Sequence, residues 1–339
     1  MHKNIMNSDQ NHFAKYCHIE SQLMIDGCEP DFQPDLSIMI PTFRRPYLLM
    51  EAIESIINQT EKDIKLEIVV VDNDAETECT ELVNLIEDFL PNNIRLFRNK
   101  ENIGMFGNWN RCIELARAPY LTILNDDDLL HPDFINQSLV HSNQTAICVG
   151  YIQFHAKNKL QWAVKNSNLT KALTRADFFN GNPIPGSLGF IFNKQSALLL
   201  GGYNQELWPT SDYDFNYRYF KSFGINKIIF PLAAYRWQEN ESMRLTTLEG
   251  FMTNDIKFRN KMIAETDCSP VRKLVLVILI KLMATSSAID YGEINRDFKV
   301  VDSLVKSDVS KIFYKLLKFK YIYKIFSRLR YRICRLVTL

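Results

Sequence analysis

Residues 120–130 read Tyr-Leu-Thr-Ile-Leu-Asn-Asp-Asp-Asp-Leu-Leu. A short apolar run passes without a break into three adjacent carboxylates. Such a run predicts a strand buried on both faces, the habit of a parallel sheet. The carboxylates then sit at the strand's C-terminal end, where three side by side repel one another unless a cation is close.

The same pattern recurs upstream. Residues 36–40, Leu-Ser-Ile-Met-Ile, form an apolar run that stops at Pro41, and residues 66–71, Leu-Glu-Ile-Val-Val-Val, form another that stops at Asp72. A third short strand is expected at 94–98. Between the strands, helices are expected at 47–57, where Leu48, Leu49, Ala52, Ile53, Ile56 and Ile57 share a face, at 79–90, and at 106–116. Strands that alternate with helices imply crossover units and a mostly parallel central sheet flanked by helices, an α/β fold. Ligands bind such sheets beyond the C-terminal strand ends. Thr42 and Arg44, Asp72 to Asp74, and Asp126 to Asp128 would converge there.

The second half is less regular. Strands are expected at 146–155, 188–193 and 227–236, a turn at Gly201-Gly202-Tyr203, and a helix over 213–222 capped by Ser211 or Asp212. From about residue 250 the chain reads as helical. The expected organisation is an N-terminal extension over 1–34, an α/β domain over 35–245 in two halves (35–135 and 136–245), and a helical C-terminal region over 246–339.

Composition excludes several classes. Net charge is +1, so no global field favours nucleic acid. Seven cysteines without a C-x-x-C spacing argue against a disulfide framework or zinc ribbon, and fit reduced thiols in a cytoplasmic compartment. No H-E-x-x-H, G-x-G-x-x-G or P-loop lysine motif occurs. Residues 1–34 lack the apolar core of a signal peptide, and no stretch reaches the ~18 uncharged apolar residues of a membrane span. The nearest run is Leu274 to Ile280.

Four groups are candidates for chemistry, each with a plainer alternative. Asp126-Asp127-Asp128 offers hard oxygens for Mg²⁺ or Mn²⁺, or is a solvated acidic turn. Asp72 can accept a hydrogen bond from a base or ribose, or simply form a turn. In the stretch 101–111, Gly104 and Gly107 permit close backbone approach and Arg111 can meet phosphate, or Arg111 lies on a solvated face. Asp212 and Asp214 can supply a general base, or cap a helix.

Taken in order, Ser37-Ile38-Met39-Ile40-Pro41-Thr42-Phe43-Arg44-Arg45-Pro46, Asp72-Asn73, Glu101-Asn102-Ile103-Gly104 and Asp126-Asp127-Asp128-Leu129-Leu130 resemble the family 2 glycosyltransferases of the GT-A fold. Gly201-Gly202-Tyr203-Asn204 and Ser211-Asp212-Tyr213-Asp214 are similar to that family's later landmarks, so the likeness covers roughly residues 35–240. The resemblance implies inverting transfer from a nucleoside-diphosphate sugar, UDP- or dTDP-linked, to a glycan or lipid-linked hydroxyl in surface polysaccharide (O-antigen or capsule) assembly. It implies Pro41, Thr42, Arg44, Asp72, Asn102, Gly104, Arg111 and Asp127 on the donor side, Asp128 on Mn²⁺ or Mg²⁺, Asp212 as catalytic base, and Gly186 and Gly189 beside the acceptor. The chain departs from many relatives at Ser211 (Glu there), Trp109 (Arg) and Gln238 (His in some). A sugar-phosphate nucleotidyltransferase would want a Gly-rich loop after the first strand, which Thr42 to Pro46 is not. An inactive glycan-binding scaffold would not need all of Asp72, Asp127, Asp128 and Asp212.

Residues 311–339 carry nine Lys or Arg and no acid, interleaved with apolar and aromatic residues. This reads as a basic amphipathic helix, expected to lie on an anionic membrane surface at the inner face of the cell membrane. The plainer reading is a helix packed on the domain with its basic face in water.

Overall fold

The computed structural model describes residues 11–61, 63–139, 146–155, 160–162, 169–238, 241–298 and 308–338. In chain order its regular elements are β1 (Ser21–Asp26), β2 (Leu36–Thr42), α1 (Pro46–Ile57), β3 (Leu66–Asp72), α2 (Thr80–Glu87), β4 (Ile94–Asn99), α3 (Met105–Leu115), β5 (Tyr120–Ile123), β6 (Leu129–Leu130), α4 (Phe134–Leu139), β7 (Ala146–His155), β8 (Thr170–Ala172), α5 (Arg175–Asn180), β9 (Phe190–Asn193), α6 (Lys194–Leu199), α7 (Ser211–Phe223), β10 (Ile225–Trp237), α8 (Leu245–Ala264), α9 (Pro270–Ile294), α10 (Asp308–Leu317) and α11 (Lys320–Thr338). The chain divides into two compact units. The first takes 1–173, 184–205 and 211–238, and the second takes 174–183, 206–210 and 239–339.

The first unit is built on one sheet in the order β1-β4-β3-β2-β5-β9-β7-β10-β6, with β8 also paired to β10. β4, β3, β2 and β5 are parallel, as the apolar runs require, because β2 and β3 are buried almost throughout and only helices can cover both faces. β1, β9, β6 and β8 pair antiparallel, so the second half makes the sheet mixed. β2 runs through Pro41 to Thr42 rather than stopping before the proline. This is tolerated because β5 pairs with β2 only as far as Met39, so Pro41 lies past the doubly paired stretch. α1 starts with Pro46 at its first turn and buries Leu49, Ala52, Ile53 and Ile56 at helical spacing against the sheet core of Ile38, Ile40, Ile68 and Val70.

The N-terminal segment belongs to this unit. β1 adds to the edge of β4, and the backbone N–H of His12 donates to Gly201 O. α7 begins at Ser211, so Ser211 and Asp212 lie in its first turn instead of capping it.

The second unit is helical. Thr174 and Asp177 form a capping box on α5, and α8 and α9 share a core of Leu248, Met252, Ala284, Ala288 and Phe298. The basic tail is two helices, α10 and α11, rather than one. No uncharged apolar run of about 18 residues occurs, because Lys281 interrupts the longest candidate. By length and composition alone α9 is long and apolar enough to cross a membrane, with mean hydropathy 1.8 over its best 18-residue window. In the structure 44% of that window is buried, with Leu276, Leu279 and Met283 at most 2% exposed.

Candidate active site

β3, β2 and β5 are parallel neighbours, so their C-terminal ends share one edge of the sheet, with Thr42 in register with Asp72. The turn after β5 folds back toward this edge. Thr42 Oγ1 donates to Asp126 Oδ2 at 2.8 Å, and the Phe43 N–H approaches the same oxygen at 3.4 Å. Arg45 Nη1 lies 3.0 Å from Asp127 Oδ2 and 3.4 Å from Asp126 Oδ1. Gln238 Nε2 donates to Asp127 Oδ2 at 3.3 Å. Asp128, 1% exposed, accepts from the Arg236 backbone N–H at 3.1 Å and from Asn125 Nδ2 at 3.1 Å. The three acids are therefore a buried cluster, not a solvated turn.

Their electrostatics follow. Burial first, then the neighbouring Asp127, pushes the Asp126 carboxyl up to about 6, with Arg45 and Thr42 opposing. Burial and Asp127 also push Asp128 upward, against the hydrogen bonds from Arg236 and Asn125. The protein supplies less positive charge here than the carboxylates would need to ionise freely. Among the described residues each Asp128 oxygen accepts one hydrogen bond, whereas a carboxylate offers about four lone-pair sites. Hard, buried, under-compensated oxygens fit Mn²⁺ or Mg²⁺. Among the described residues no three His, Cys, Asp or Glu side chains form a self-sufficient metal cage. That donor set suits an ion held by one or two carboxylates and completed by substrate phosphates.

From Asp128 a hydrogen-bonded path leads across the site. Asn125 Nδ2 also reaches Gly186 O at 3.3 Å, and Gly186 N–H donates to Asp212 Oδ2 at 2.9 Å. Asp212 is 9% exposed in the first turn of α7. Asp214 is used differently: it accepts from Arg218 Nε at 2.7 Å, while the same guanidinium binds Leu200 O and Gly202 O, so this acid braces the Gly201–Gly202 turn.

On the β3 side, Asp72 accepts from the Asp74 N–H at 2.9 Å and lies 3.5 Å from Arg98 Nε, and burial raises its carboxyl. Arg44 turns toward Asp74, at 2.8 and 3.1 Å, and Glu76, and holds the Asp74 carboxyl well below the usual range. Asn73 ties the 101–104 loop to the strand end. It donates to Asn102 Oδ1 at 2.9 Å and accepts from the Ile103 N–H at 3.1 Å. Gly104 precedes α3 with φ +73°, a left-handed conformation in which a side chain would be strained although space is open.

Two expected site residues have other tasks. Arg111 donates to Tyr16 O at 3.0 Å and Ile19 O at 2.8 Å and pairs with Glu114, so its guanidinium clamps the N-terminal segment. A donor-side role is withdrawn for that reason. Gly189 has φ +65°, and a Cβ there would lie 2.4 Å from Val149 Cγ2; it lets β7 and β9 meet closely and needs no acceptor to explain it. Trp109 joins Phe106 and Tyr203 in a buried aromatic cluster, with ring centroids 5.1 and 5.2 Å away, which accounts for the absence of an arginine there. Arg45, Asn125 and Arg236 join the site without a motif that points to them. Arg45 adjoins Arg44 in the first motif, and that adjacency was the one available signal. Arg236 reaches Asp128 through its backbone N–H and Asp127 O through its Nε, at 2.9 Å, from a strand more than 100 residues away.

A sheet with β3, β2 and β5 parallel, an acidic turn at their C-terminal edge, and a second carboxylate delivered from α7 define a GT-A fold. Residues 37–198, just under half of the chain, match Glycosyl transferase family 2, and the family resemblance read from the motifs holds. Among curated relatives, the chain is 36% identical over 113 residues to the GalNAc(5)-diNAcBac-PP-undecaprenol beta-1,3-glucosyltransferase of Campylobacter jejuni, covering 33% of this chain and 35% of that one. It is 31% identical over 111 residues to the putative colanic acid biosynthesis glycosyl transferase WcaA of Escherichia coli, covering 33% and 39%. The chain thus spans little more than a third of these relatives. Among solved structures, S. aureus TarS 1–349 in complex with UDP-GlcNAc superposes with TM-score 0.56 at 14% identity over 90% of both chains. The mannosyltransferase PcManGT of Pyrobaculum calidifontis, with GDP-Man and Mn²⁺, gives 0.54 at 14% over 96% and 91%. Those two likenesses establish the fold.

Proposed function

We propose that the protein is a metal-dependent inverting glycosyltransferase that moves a sugar from a nucleoside-diphosphate sugar to a hydroxyl of a glycan or lipid-linked acceptor, in surface polysaccharide assembly. The observation that supports the reading is the path Asp128–Asn125–Gly186–Asp212, which links the two carboxylates through hydrogen bonds.

In this reading Asp72 and Thr42, at the ends of β3 and β2, face the base and ribose, and Asp127 faces the ribose. Pro41 shapes the strand end, and the Asn73-anchored loop at Asn102 and Gly104 closes the donor side. Asp128 holds Mn²⁺ or Mg²⁺, which supplies positive charge to the departing diphosphate when bound. Asp212, oriented by the Gly186 N–H, takes the proton of the acceptor hydroxyl as that oxygen attacks the anomeric carbon. The glycosidic bond breaks on the opposite face, so one in-line displacement inverts the configuration. Gly186, which hydrogen-bonds both Asn125 and Asp212, would border the acceptor in this reading.

Support for the acceptor class comes from the undecaprenol-linked and colanic acid relatives, and for a nucleotide-sugar donor from the UDP-GlcNAc and GDP-Man complexes of the two structural neighbours. UDP or dTDP is the expected donor carrier, at the cytoplasmic face of the membrane, with no role for nucleic acid. Titration calorimetry of UDP, dTDP and GDP with and without Mn²⁺ tests this. Binding of one nucleotide that needs Mn²⁺ and disappears in Asp128→Ala is expected. Metal-independent binding, or none to any of the three, would sink the proposal.

A further inference from the structure

α11 packs onto its own unit with its polar face. Tyr323 Oη donates to the Asp290 carboxylate, 2.8 Å from each of its oxygens, Arg330 Nε donates to Asn180 Oδ1 at 2.8 Å, Tyr331 Oη donates to Asp177 Oδ1 at 3.2 Å, and Cys334 is fully buried. Positions 323, 330, 331 and 334 recur at helical spacing and define the inward face. An amphipathic helix of a globular unit normally buries its apolar stripe there. Here the apolar stripe points away. Ile322, Ile325 and Leu329 are 37–43% exposed and Leu336 is 74% exposed, at spacings of three, four and seven that keep them on one face. Lys324, Arg328, Arg332 and Arg335 are exposed along a neighbouring strip. α10 and the turn after it show the same arrangement, with Leu316 at 42% and Phe319 at 64% beside exposed Lys315 and Lys318.

Outward apolar groups flanked by cations, in a segment (311–339) with no acidic residue, have the chemistry of a surface that meets acyl chains and anionic headgroups together. We infer that the outward stripe Leu316, Phe319, Ile322, Ile325, Leu329 and Leu336 seats in the headgroup–acyl boundary of an anionic bilayer, with α11 lying in the plane of the membrane and the flanking Lys and Arg on lipid phosphates. This goes past the expectation of a basic tail on a membrane. It names the face that enters the lipid, and it assigns the polar face to packing inside the protein. It rests on the lipid-linked part of the proposed function for its purpose, but its test needs neither donor nor acceptor.

The full-length protein is co-sedimented with phosphatidylcholine vesicles with and without a third of phosphatidylglycerol, at low and high salt. Wild type binds the anionic vesicles, binds less as salt rises, and binds the neutral vesicles weakly. A triple variant Ile322→Gln, Ile325→Gln, Leu329→Gln keeps its melting temperature and loses binding at least tenfold. Arg328→Gln with Arg332→Gln and Arg335→Gln loses the salt dependence. Wild type that stays in the supernatant with anionic vesicles would overturn the inference. So would a triple variant that still binds, or a dimer in solution that the triple variant dissociates, since that would give the face to a second copy. Manganese-dependent nucleotide binding is measured alongside, so failure of this face and failure of the transferase reading are told apart.

Discussion

The parallel strands of the sheet carry buried carboxylates at both of their ends, Glu67 near the start of β3 and Asp126 to Asp128 just past the end of β5, and the two ends are treated in opposite ways. Glu67 is fully buried and surrounded. Arg95 Nη2 and Nε donate to it at 2.7 and 3.2 Å, the Arg117 N–H donates at 2.6 Å, and Ser37 Oγ donates as well. At the other end of the sheet, Asp126, Asp127 and Asp128 are nearly as buried, yet Arg45 is the main cation facing them, from a side chain 36% exposed. A saturated buried acid holds a fold together. An under-compensated one costs stability in the free protein, and under the proposed function it is where a cation would sit.

This contrast can be broken experimentally. The largest effect is expected for Asp128→Ala, which should lower kcat/KM for donor transfer by about a thousandfold while leaving the melting temperature unchanged or raised. Arg95→Ala should do the reverse. Stranding Glu67 without its partner should cost about 3–5 kcal/mol in denaturant unfolding, and the folded fraction should keep its turnover. Equal stability losses at both ends would erase the distinction.

A smaller effect separates the ends by pH. The Asp126 carboxyl lies at about 6 in the folded protein against an ordinary 3.8. Its folded value is raised, so the unfolded chain gives up its proton first and stability falls as pH rises from about 4 to about 6. The gap corresponds to at most about 3 kcal/mol. Asp128 extends the same trend to higher pH. Thermal melts of metal-free protein should show this decline, Mn²⁺ should offset it at neutral pH, and Asp126→Asn should flatten it. A stability that rises over this pH range would contradict the assignment. The smallest effect concerns Arg45. If its guanidinium partly occupies the place of a metal charge, Arg45→Ala should tighten Mn²⁺ binding without nucleotide by about threefold to tenfold, read by electron paramagnetic resonance. Weaker Mn²⁺ binding would show that Arg45 organises the acids instead.

Chain order made much of this visible. The run Tyr120 to Leu124 and the block Ile68 to Val71 could only be doubly covered strands, because apolar side chains on both faces must be kept from water whatever surrounds them. Their order fixed which ends met, and the acids that follow them fixed the chemistry on offer. What a linear pattern does not contain is direction. Arg111 and Arg45 look alike as letters, and packing sent one guanidinium to the carbonyls of Tyr16 and Ile19 and the other to Asp126 and Asp127. Gly186 matters through its own N–H and C=O, and the N–H of Arg236 meets Asp128, and backbone groups have no residue signature. In α11 the sequence displays both an apolar and a basic stripe, but which face turns inward was decided by partners more than 30 residues away, Asp290, Asn180 and Asp177. Periodicity depends on local geometry and is written along the chain; the choice of partner depends on which distant groups the fold brings within 3 Å.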